Sequence, residues 1–274
     1  AIEQNEFDLV EKFAGIVPTV VIAEMLGIDP EEHGRFKEWS DLVIQVGFNP
    51  LPTEEQLSDG DKARQQLDEL FMEEIAKRRE QPGQDLLSDM IRAEEAGDSL
   101  TVQEIIEQCR LLLIAGNVTT TDLIGNGVNA LLEHPEQLQK LRDQPDLIGN
   151  AVEEMLRYDS PVLNTGRIMN RDVSVAGCPL KKGSSVAPLL AAANRDPAVY
   201  PEPDKFDIER ADTHHQSFGG GRHLCLGAHL ARMEAQESIL GLLRRYPGLE
   251  KSPRGHTYHA MPTFRGFSEY WVRS

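Results

Sequence analysis

The feature that most constrains this chain is a ten-residue loop that contains a cysteine, Phe218-Gly219-Gly220-Gly221-Arg222-His223-Leu224-Cys225-Leu226-Gly227. A helix is predicted directly after it, because Leu226, Leu230 and Met233 recur at helical spacing. The cysteine therefore lies near the unpaired N–H groups that open a helix, where the helix macrodipole favours a thiolate. The glycines allow another group to approach the backbone closely. A sulfur at this position is suited to metal ligation.

The fixed positions of this loop resemble the haem-binding signature of the cytochrome P450 family, Phe-x-x-Gly-x-x-x-Cys-x-Gly. The resemblance implies a mainly α cytochrome P450 fold with a long central helix and a small β region, and haem b as the cofactor. It also implies that Cys225 is the axial thiolate ligand, which favours O–O cleavage, and that His223 meets a haem propionate. The cofactor-binding residues implied in the loop are Phe218, Gly219, His223, Cys225 and Gly227, with Cys225 as the metal ligand.

Composition limits the class of protein. A chain of 274 residues with 40% hydrophobic content can bury a substantial core. Its net charge of −17 argues against a nucleic-acid or anionic-membrane partner, and no apolar run reaches the roughly 20 residues needed to cross a bilayer. Three cysteines at no repeating spacing favour a reducing compartment, so we expect a cytoplasmic protein.

The N-terminal end departs from the family. The resemblance implies early helices and a haem-contacting His-x-x-x-Arg motif, which His33 and Arg35 do not reproduce, and Ala1 is not a start methionine. Either the chain is a fragment or it differs strongly from the family at this end. We expect a single, N-terminally incomplete cytochrome P450 domain over 1–274. Its helical part is 1–160, and its small sheets, meander, haem-ligand loop and last helix lie within 161–274.

Helix is the dominant state predicted for the first two-thirds, where proline and glycine separate apolar-periodic segments. The longest pattern covers 100–134, opens with a capping box of Thr101 and Glu104, and ends before Pro135. The other predicted helices are 7–26 with an interruption near Pro18, 30–46, 53–79, 85–97, 136–142, 146–158 and 228–245.

The remaining segments predict less regular structure. Between 164 and 188 the pattern weakens into small hairpins, with β-prone pieces at 173–175 and 184–187. The proline-dotted stretch 191–221 is unusually long for a loop, and the resemblance identifies it as the meander before the cysteine. Short strands are predicted within 256–272.

The middle of the long helix contains an unusual run, Ala115-Gly116-Asn117-Val118-Thr119-Thr120-Thr121. A glycine here costs about 1 kcal/mol relative to alanine, and the β-branched residues are also poor helix formers. Such disagreement with local structure is expected at functional sites. It is also explained if small residues let another helix cross closely.

The resemblance identifies this run as the distal helix, which widens into a groove for dioxygen. Ala115, Gly116 and Thr119 match the family pattern, whereas its acidic position is Val118, preceded by Asn117. Valine neither donates nor accepts a proton, so we expect Thr119 to support proton delivery with water and Asn117 or Asp122. The catalytic candidates are Thr119, Gly116, Ala115 and Asn117.

Charged residues around the second half of the chain form a further group of candidates. Glu154 and Arg157 are three apart on one predicted helix, which is typical of a solvated surface pair. The resemblance implies instead a buried structural network of Glu154, Arg157 and Arg210 that holds the meander. It also implies that Arg167 pairs with a haem propionate.

Four apolar residues are candidates for a substrate pocket, Leu112, Val162, Leu163 and Phe267. Their side chains suit a small apolar substrate, although apolar residues more often belong to the core.

The leading hypothesis is a haem-thiolate monooxygenase that inserts one oxygen atom of dioxygen into an apolar organic substrate. The chain has no Gly-x-Gly-x-x-Gly dinucleotide fingerprint, so the resemblance implies a ferredoxin-type electron donor with an NAD(P)H-dependent reductase. The arginines predicted to meet such an acidic partner are Arg222, Arg232, Arg244 and Arg245.

Three alternatives stay open at this stage. Val118 is compatible with a peroxygenase driven by hydrogen peroxide. A structural zinc site is compatible with the spacing of Cys225 and His229 and with three histidines just upstream, His214, His215 and His223. The last alternative is a catalytically inert fragment.

Overall fold

The computed structural model of the chain describes residues 5–49, 51–97 and 100–274, without the side chain of residue 48. Residues 1–4 of the predicted domain lie outside this description. The chain divides into two compact units. The first reaches to Thr121 and includes Glu269–Val272, and the second consists of Asp122–Ser268 and Arg273–Ser274. The described chain is mainly helical with small β elements, as predicted, whereas the predicted division at 160/161 rests on helix content alone and stays a prediction.

The first unit is built from a short strand and a series of helices. Capping side chains fix several starts: Thr53 and Gln56 form a capping box at α3, and the predicted box of Thr101 and Glu104 at α5 is confirmed. The described elements are β1 Glu6–Asp8, α1 Val17–Met25, α2 His33–Phe48, α3 Glu54–Glu80, α4 Leu86–Glu95 and the part of α5 (Val102–Glu133) that ends at Thr121.

The predicted helix over 7–26 is wrong in two respects. Its first residues form β1 and a π-helical turn, Val10–Ala14, and Pro18 begins a helix rather than interrupting one. Proline is tolerated in the first turn because the N–H groups there have no partner within the helix. The break therefore falls before the proline, at Gly15 and Ile16.

The core of the first unit is aromatic and aliphatic. Phe36 of α2 and Phe71 of α3 are both fully buried and meet edge to face, with ring centroids 6.2 Å apart. In the same unit β1 is hydrogen-bonded to β7 (Phe267–Arg273), and the Tyr270 N–H also donates to Asp8 Oδ1 at 3.0 Å.

The second unit contains the rest of α5 and the later elements. They are α6 Pro135–Asp143, α7 Ile148–Tyr158, β2 Arg167–Ile168, β3 Val173–Val175, β4 Cys178–Leu180, β5 Ser185–Val186, α8 Leu190–Ala193, α9 Ala228–Arg245 and β6 Glu250–Tyr258, which pairs with β7. The antiparallel pairs β2–β5 and β3–β4 confirm the predicted hairpins. The predicted final strands begin too late, because Pro253 and Gly255 resemble turn residues yet lie inside β6.

Helices α5, α7 and α9 pack closely in the second unit. A Cβ at Gly127 would lie 2.6 Å from Met155 Sδ and 3.2 Å from Ile239 Cδ1. Glycine at this position therefore sets the approach of the three helices, which carry the charged side chains described below.

None of the described helices combines the length and the apolar character needed to cross a bilayer.

Candidate functional site

The cysteine loop is closed by its own backbone. The Cys225 N–H donates to the Phe218 carbonyl oxygen at 2.9 Å, and a 3₁₀ turn at Gly221–His223 lies between them. Gly219 and Gly221 have positive φ angles, 66° and 60°, which only glycine adopts without strain. At Gly219 a Cβ would also approach the His223 carbonyl oxygen to 3.1 Å. The glycines are thus required by the path of the loop.

The loop presents an open apolar surface around the sulfur. Cys225 is an exposed free thiol, and its neighbours Leu224 and Leu226 are 61% and 88% exposed. A Cβ at Gly220, Gly221 or Gly227 would meet no described heavy atom within 4 Å. Cys109 is buried instead, and burial raises the pKa of its thiol to about 12. Cys225 is therefore a cysteine that an external apolar group can reach.

A cluster of four side chains, Glu153, His215, Phe218 and Arg232, lies behind the loop. Arg232 of α9 donates to Glu153 of α7 from Nε at 2.6 Å and from Nη2 at 2.9 Å, and its guanidinium lies 4.5 Å from the Phe218 ring centroid. His215 Nε2 lies 3.2 Å from Glu153 Oε2. Burial raises the pKa of Glu153, but hydrogen bonds from His215 and Arg232 outweigh it and lower that pKa to about 2. We call these four residues the Glu153 cluster.

Glu154, Arg157 and Arg210 come together in one buried network. Arg157 donates to Glu154 Oε2 at 2.7 Å and to Oε1 at 2.9 Å, and Arg210 Nε donates to the same carboxylate at 3.1 and 3.2 Å. Neither Glu154 nor Arg157 has a solvent-exposed side chain. The remaining guanidinium N–H groups of Arg157 donate to the carbonyl oxygens of Asn194, Pro203 and Lys205. This network replaces regular secondary structure in the segment after α8.

Asn194 connects that network to the start of the cysteine loop. Its Nδ2 donates to Ser217 Oγ at 2.8 Å, and its Oδ1 accepts from the Gln216 N–H at 2.6 Å. Ser217 Oγ in turn donates to the Leu156 carbonyl oxygen at 2.7 Å. Since Asn194 is fully buried, it fixes the backbone immediately before Phe218.

Two candidates for propionate binding lie in the second unit. Arg167 of β2 is half-buried and donates to Thr165 Oγ1 at 3.2 Å and to the Gly166 carbonyl oxygen at 2.7 Å. Among the described residues it has no carboxylate partner. His223 is exposed in the 3₁₀ turn of the cysteine loop. Arg167 is therefore a cation that can still bind an anion.

The catalytic candidates lie on α5 in the first unit. Thr119 Oγ1 donates to the Ala115 carbonyl oxygen at 2.8 Å, a bond from residue i to i−4 that competes with the helix ladder. A Cβ at Gly116 would lie 3.3 Å from two atoms of Ile22 of α1. Close helix crossing thus accounts for Gly116 in this unit, as the simpler explanation required.

Asn117 and Asp122 have buried partners of their own. Asn117 is 3% exposed, and its Nδ2 donates to Ser40 Oγ of α2 at 3.2 Å. In the second unit, Asp122 Oδ2 accepts from His259 at 2.9 Å, and burial raises the pKa of Asp122. Thr119 is consequently the relay candidate whose hydroxyl is not committed to another side chain.

The four candidates for a substrate pocket differ in their surroundings. Leu112 is half-buried in the first unit, and Val162 and Leu163 are half-buried in the second. Leu163 lines a cavity of about 290 Å³, whose walls are mostly polar. Phe267 is 3% exposed, and its ring stacks on Tyr258 at 4.6 Å between centroids. Phe267 is therefore packed as a core residue of the second unit.

The structure corrects one electrostatic prediction and removes one alternative. Arg232 is not a free docking cation, because Glu153 neutralises it, whereas Arg222, Arg244 and Arg245 are exposed. Among the described residues, no three His, Cys, Asp or Glu side chains are arranged to hold a metal ion. The zinc site predicted around Cys225, His229 and the upstream histidines is therefore not supported.

Sequence reasoning missed Glu153 and Asn194 altogether. The one opposite charge at helical spacing from Glu153 is Arg157, which binds Glu154 instead. The partners of Glu153 are His215 and Arg232, which follow it by 62 and 79 residues. Asn194 follows the short helix α8 and contacts residues more than twenty positions away, which no local pattern encodes.

Comparison with known proteins adds independent evidence. The family model described as Cytochrome P450 matches residues 31–253, which is most of the chain. The biotin biosynthesis cytochrome P450 of Bacillus subtilis (strain 168) is 41% identical over 266 residues, covering 97% of this chain and 67% of that protein. The putative cytochrome P450 YjiB of the same organism is 40% identical, covering 90% of this chain and 63% of that protein. The chain thus spans about two-thirds or less of the length of these curated relatives.

Solved structures agree with the sequence comparison. P450BioI, in complex with an acyl carrier protein ligated to hexadec-9Z-enoic acid, superposes with a TM-score of 0.90 at 41% identity, covering 99% of this chain and 69% of that one. The ligand-free cytochrome P450 TbtJ1 superposes with a TM-score of 0.94 at 37% identity, covering 99% and 72%. With a matching family model, relatives at about 40% identity and a shared fold, this chain belongs to the cytochrome P450 family.

Proposed function

We propose that the protein is a haem-thiolate monooxygenase, which inserts one atom of dioxygen into an apolar organic substrate. The observation that carries this proposal is the exposed Cys225 thiol at the end of a loop closed by the bond from the Cys225 N–H to the Phe218 carbonyl oxygen. A thiolate held by a glycine-rich loop beside open apolar surface is suited to axial ligation of a haem.

Cytochromes P450 bind haem b, and the residues of the second unit fit that group. The exposed side chains of Leu224 and Leu226 offer apolar contact, and the loop glycines leave space for a flat macrocycle. Arg167 offers an unneutralised cation to one propionate, and we propose that His223 donates a hydrogen bond to the other. When bound, the haem supplies the redox chemistry that cleaves dioxygen.

The protein's own contribution is to hold these groups and to manage protons. The Glu154, Arg157 and Arg210 network fixes the meander, and Asn194 fixes the backbone that leads into the cysteine loop. We assign proton delivery to Thr119 Oγ1, because Val118 at the preceding position carries no exchangeable proton. For this role the Thr119 hydroxyl must exchange its bond to the Ala115 carbonyl for one to water or substrate.

The proposed substrate is a small apolar molecule. P450BioI has been seen with a fatty acid attached to its carrier protein, and CYP109E1 of Bacillus megaterium with corticosterone. Both molecules are mainly apolar, and this supports the same class of substrate here. In the second unit we assign Val162 and Leu163 to the pocket wall, and in the first unit Leu112 stays a candidate for substrate contact.

Electrons are proposed to come from a ferredoxin-type donor with an NAD(P)H-dependent reductase. Arg222, Arg244 and Arg245 are exposed cations on or beside α9 that can meet an acidic donor. The proposed location is the cytoplasm, because each of the three cysteines is a free thiol.

The decisive experiment is the carbon monoxide difference spectrum of the reduced, haem-reconstituted chain. We expect the strongly red-shifted Soret band of a thiolate-ligated haem, lost in Cys225→Ser and retained in Cys178→Ser, the matched change at another exposed cysteine. A Cys225→Ser variant that still shows the band would contradict Cys225 ligation.

Turnover tests the reaction itself. With ferredoxin, reductase and NAD(P)H, we expect oxygen consumption coupled to product, and Thr119→Ala should consume oxygen with much less product. Thr119→Ser retains the hydroxyl and serves as the control. Product formed with hydrogen peroxide but never with the electron donor would replace the monooxygenase assignment by a peroxygenase.

A further inference from the structure

The Glu153 cluster has a geometry that surface ion pairs lack. Arg232 makes two parallel hydrogen bonds to Glu153, and its guanidinium faces the Phe218 ring at 4.5 Å. The side chains of Glu153 and Arg232 are 22% and 29% exposed, so solvent screens them only in part. Phe218 supplies the carbonyl oxygen that accepts from Cys225. Arg232 therefore contacts the residue at which the cysteine loop closes.

The Glu153 cluster also places two opposite charges beside the loop. The hydrogen bond to Glu153 raises the pKa of Arg232, burial opposes this, and the negative charge of Glu153 raises it further. The Glu153 carboxylate is ionised across the neutral range, because its pKa is about 2. The guanidinium is thus balanced by Glu153 while it contacts Phe218, the residue whose carbonyl oxygen accepts from the Cys225 N–H.

We propose that Glu153 and Arg232 are a positioning pair for Cys225, in which Arg232 holds the Phe218 ring against the loop and Glu153 cancels the charge of Arg232. The contact of Arg232 with the Phe218 ring is the mechanical half of the proposal, and it concerns the loop alone. The balance of charge between Glu153 and Arg232 is the electrostatic half. The electrostatic half rests on the proposed function, because it concerns the sulfur as a haem ligand.

The pair has the parts that both roles need. A planar guanidinium can stack on a ring and bind a carboxylate through two N–H groups at once, which an ammonium cannot do. His215 lies between the same partners, since its ring is 5.7 Å from the Phe218 ring and its Nε2 is 3.2 Å from Glu153. Ser217 N–H donates to His215 Nδ1 at 3.2 Å, so the cluster also grips the backbone that enters the loop.

The mechanical half is tested by hydrogen exchange of the backbone amides at 218–227 in the haem-free chain. In Arg232→Gln the Cys225 amide should exchange about tenfold faster, because Phe218, whose carbonyl oxygen accepts from that amide, loses its contact with the guanidinium. Arg232→Lys should give an intermediate rate. Arg171→Gln, at an exposed arginine, is the matched control. An unchanged rate in Arg232→Gln, with the chain still folded by circular dichroism, overturns this half.

The electrostatic half is tested by the midpoint potential of the haem-loaded chain. Glu153→Gln leaves Arg232 unbalanced and should raise the potential, whereas Arg232→Gln leaves Glu153 unbalanced and should lower it. The double variant should return towards the wild-type potential. Glu237→Gln, at an exposed acid on α9, the helix of Arg232, should leave the potential unchanged.

The two variants keep a charge effect separate from structural damage. Damage to the loop shifts the potential in the same direction in both single variants, and that result overturns the electrostatic half. If the chain shows no thiolate-haem band, the proposed function fails and the electrostatic half fails with it. The exchange experiment still decides the mechanical half.

Discussion

Each unit contains a buried arginine that is shared between carboxylates and backbone carbonyl groups. In the first unit, Arg78 of α3 pairs with Glu74 and with Asp85, where Nε lies 3.0 Å from both carboxylate oxygens. Its Nη2 donates to the carbonyl oxygens of Leu26 and Gly27. In the second unit, Arg157 pairs with Glu154 and donates to three carbonyl groups of the meander.

The two clusters stabilise different kinds of backbone. Arg78 binds the last carbonyl groups after α1, a helix that has its own hydrogen bonds. Arg157 binds the carbonyl groups of Asn194, Pro203 and Lys205, in a segment that has no helix or strand from 194 to 220. An arginine at a helix end adds hydrogen bonds to a backbone that already has its own. An arginine in a segment without helix or strand supplies hydrogen bonds that the backbone carbonyl groups would otherwise lack. The second should therefore be the harder to remove.

The largest effect is expected from Arg157→Ala. This change leaves Glu154 buried beside Arg210 alone and strands three carbonyl groups, so the free energy of unfolding should fall by about 3–5 kcal/mol. Haem incorporation should be lost, because Asn194 would no longer hold the start of the cysteine loop. Denaturant unfolding and haem content per folded chain measure both effects. Normal haem content in this variant would contradict the proposed role of the network.

Arg78→Ala should destabilise the chain less and spare the haem site. We expect the free energy of unfolding to fall by about 3 kcal/mol, since Glu74 keeps Lys77 as an ionic partner and Asp85 keeps the hydrogen bond from the Ser88 N–H. Haem bound per folded chain should stay at the wild-type level. If Arg78→Ala loses haem while the chain remains folded, the proposed difference between the two clusters is wrong.

The same comparison explains what the sequence could predict. The buried pair of Glu154 and Arg157 is predicted only through the family resemblance, which a short local motif carries. The helices are predicted because their apolar periodicity is local. Arg78 is no less well partnered, yet its partners are spread from Leu26 to Asp85. No spacing rule joins a helix end to a residue fifty positions later.

The site follows the same rule. The positions of Phe218 and Cys225 are local, and the glycines between them predict a loop that the structure contains. Glu153, Asn194 and His215 act through contacts with residues far away in the sequence, so no local pattern predicts their roles. Local chemistry is legible from sequence, while the side chains that support it from a distance are not.

The pH dependence of stability should distinguish the charge of Asp85 from the hydrogen bond that Asp85 accepts from the Ser88 N–H at the start of α4. Burial raises the pKa of Asp85, but the Ser88 N–H and Arg78 outweigh it and lower that pKa. A lowered pKa stabilises the fold above the unfolded value of about 3.9, and this stability is lost as the pH falls through the folded value.

Asp85→Asn retains a capping side chain but loses the charge. We expect it to cost about 1–2 kcal/mol at neutral pH, and the difference from wild type should shrink between about pH 5 and about pH 3. Denaturant unfolding at several pH values measures this. Asp61→Asn, at an exposed aspartate of α3, is the control. A difference independent of pH would mean that shape, not charge, is what Asp85 contributes.

The smallest effect is expected at Lys77, which shares the Glu74 carboxylate with Arg78. Lys77 Nζ lies 2.7 Å from Glu74 Oε1, but 67% of its side chain is exposed. The hydrogen bond to Glu74 raises the pKa of Lys77, yet solvent screens the pair and the long side chain loses rotamer entropy. Lys77→Gln should therefore change the free energy of unfolding by no more than about 0.5 kcal/mol. Lys77 and Arg78 contact the same carboxylate. A loss of stability in Lys77→Gln as large as that in Arg78→Ala would therefore show that Glu74 needs both cations, not only the buried guanidinium.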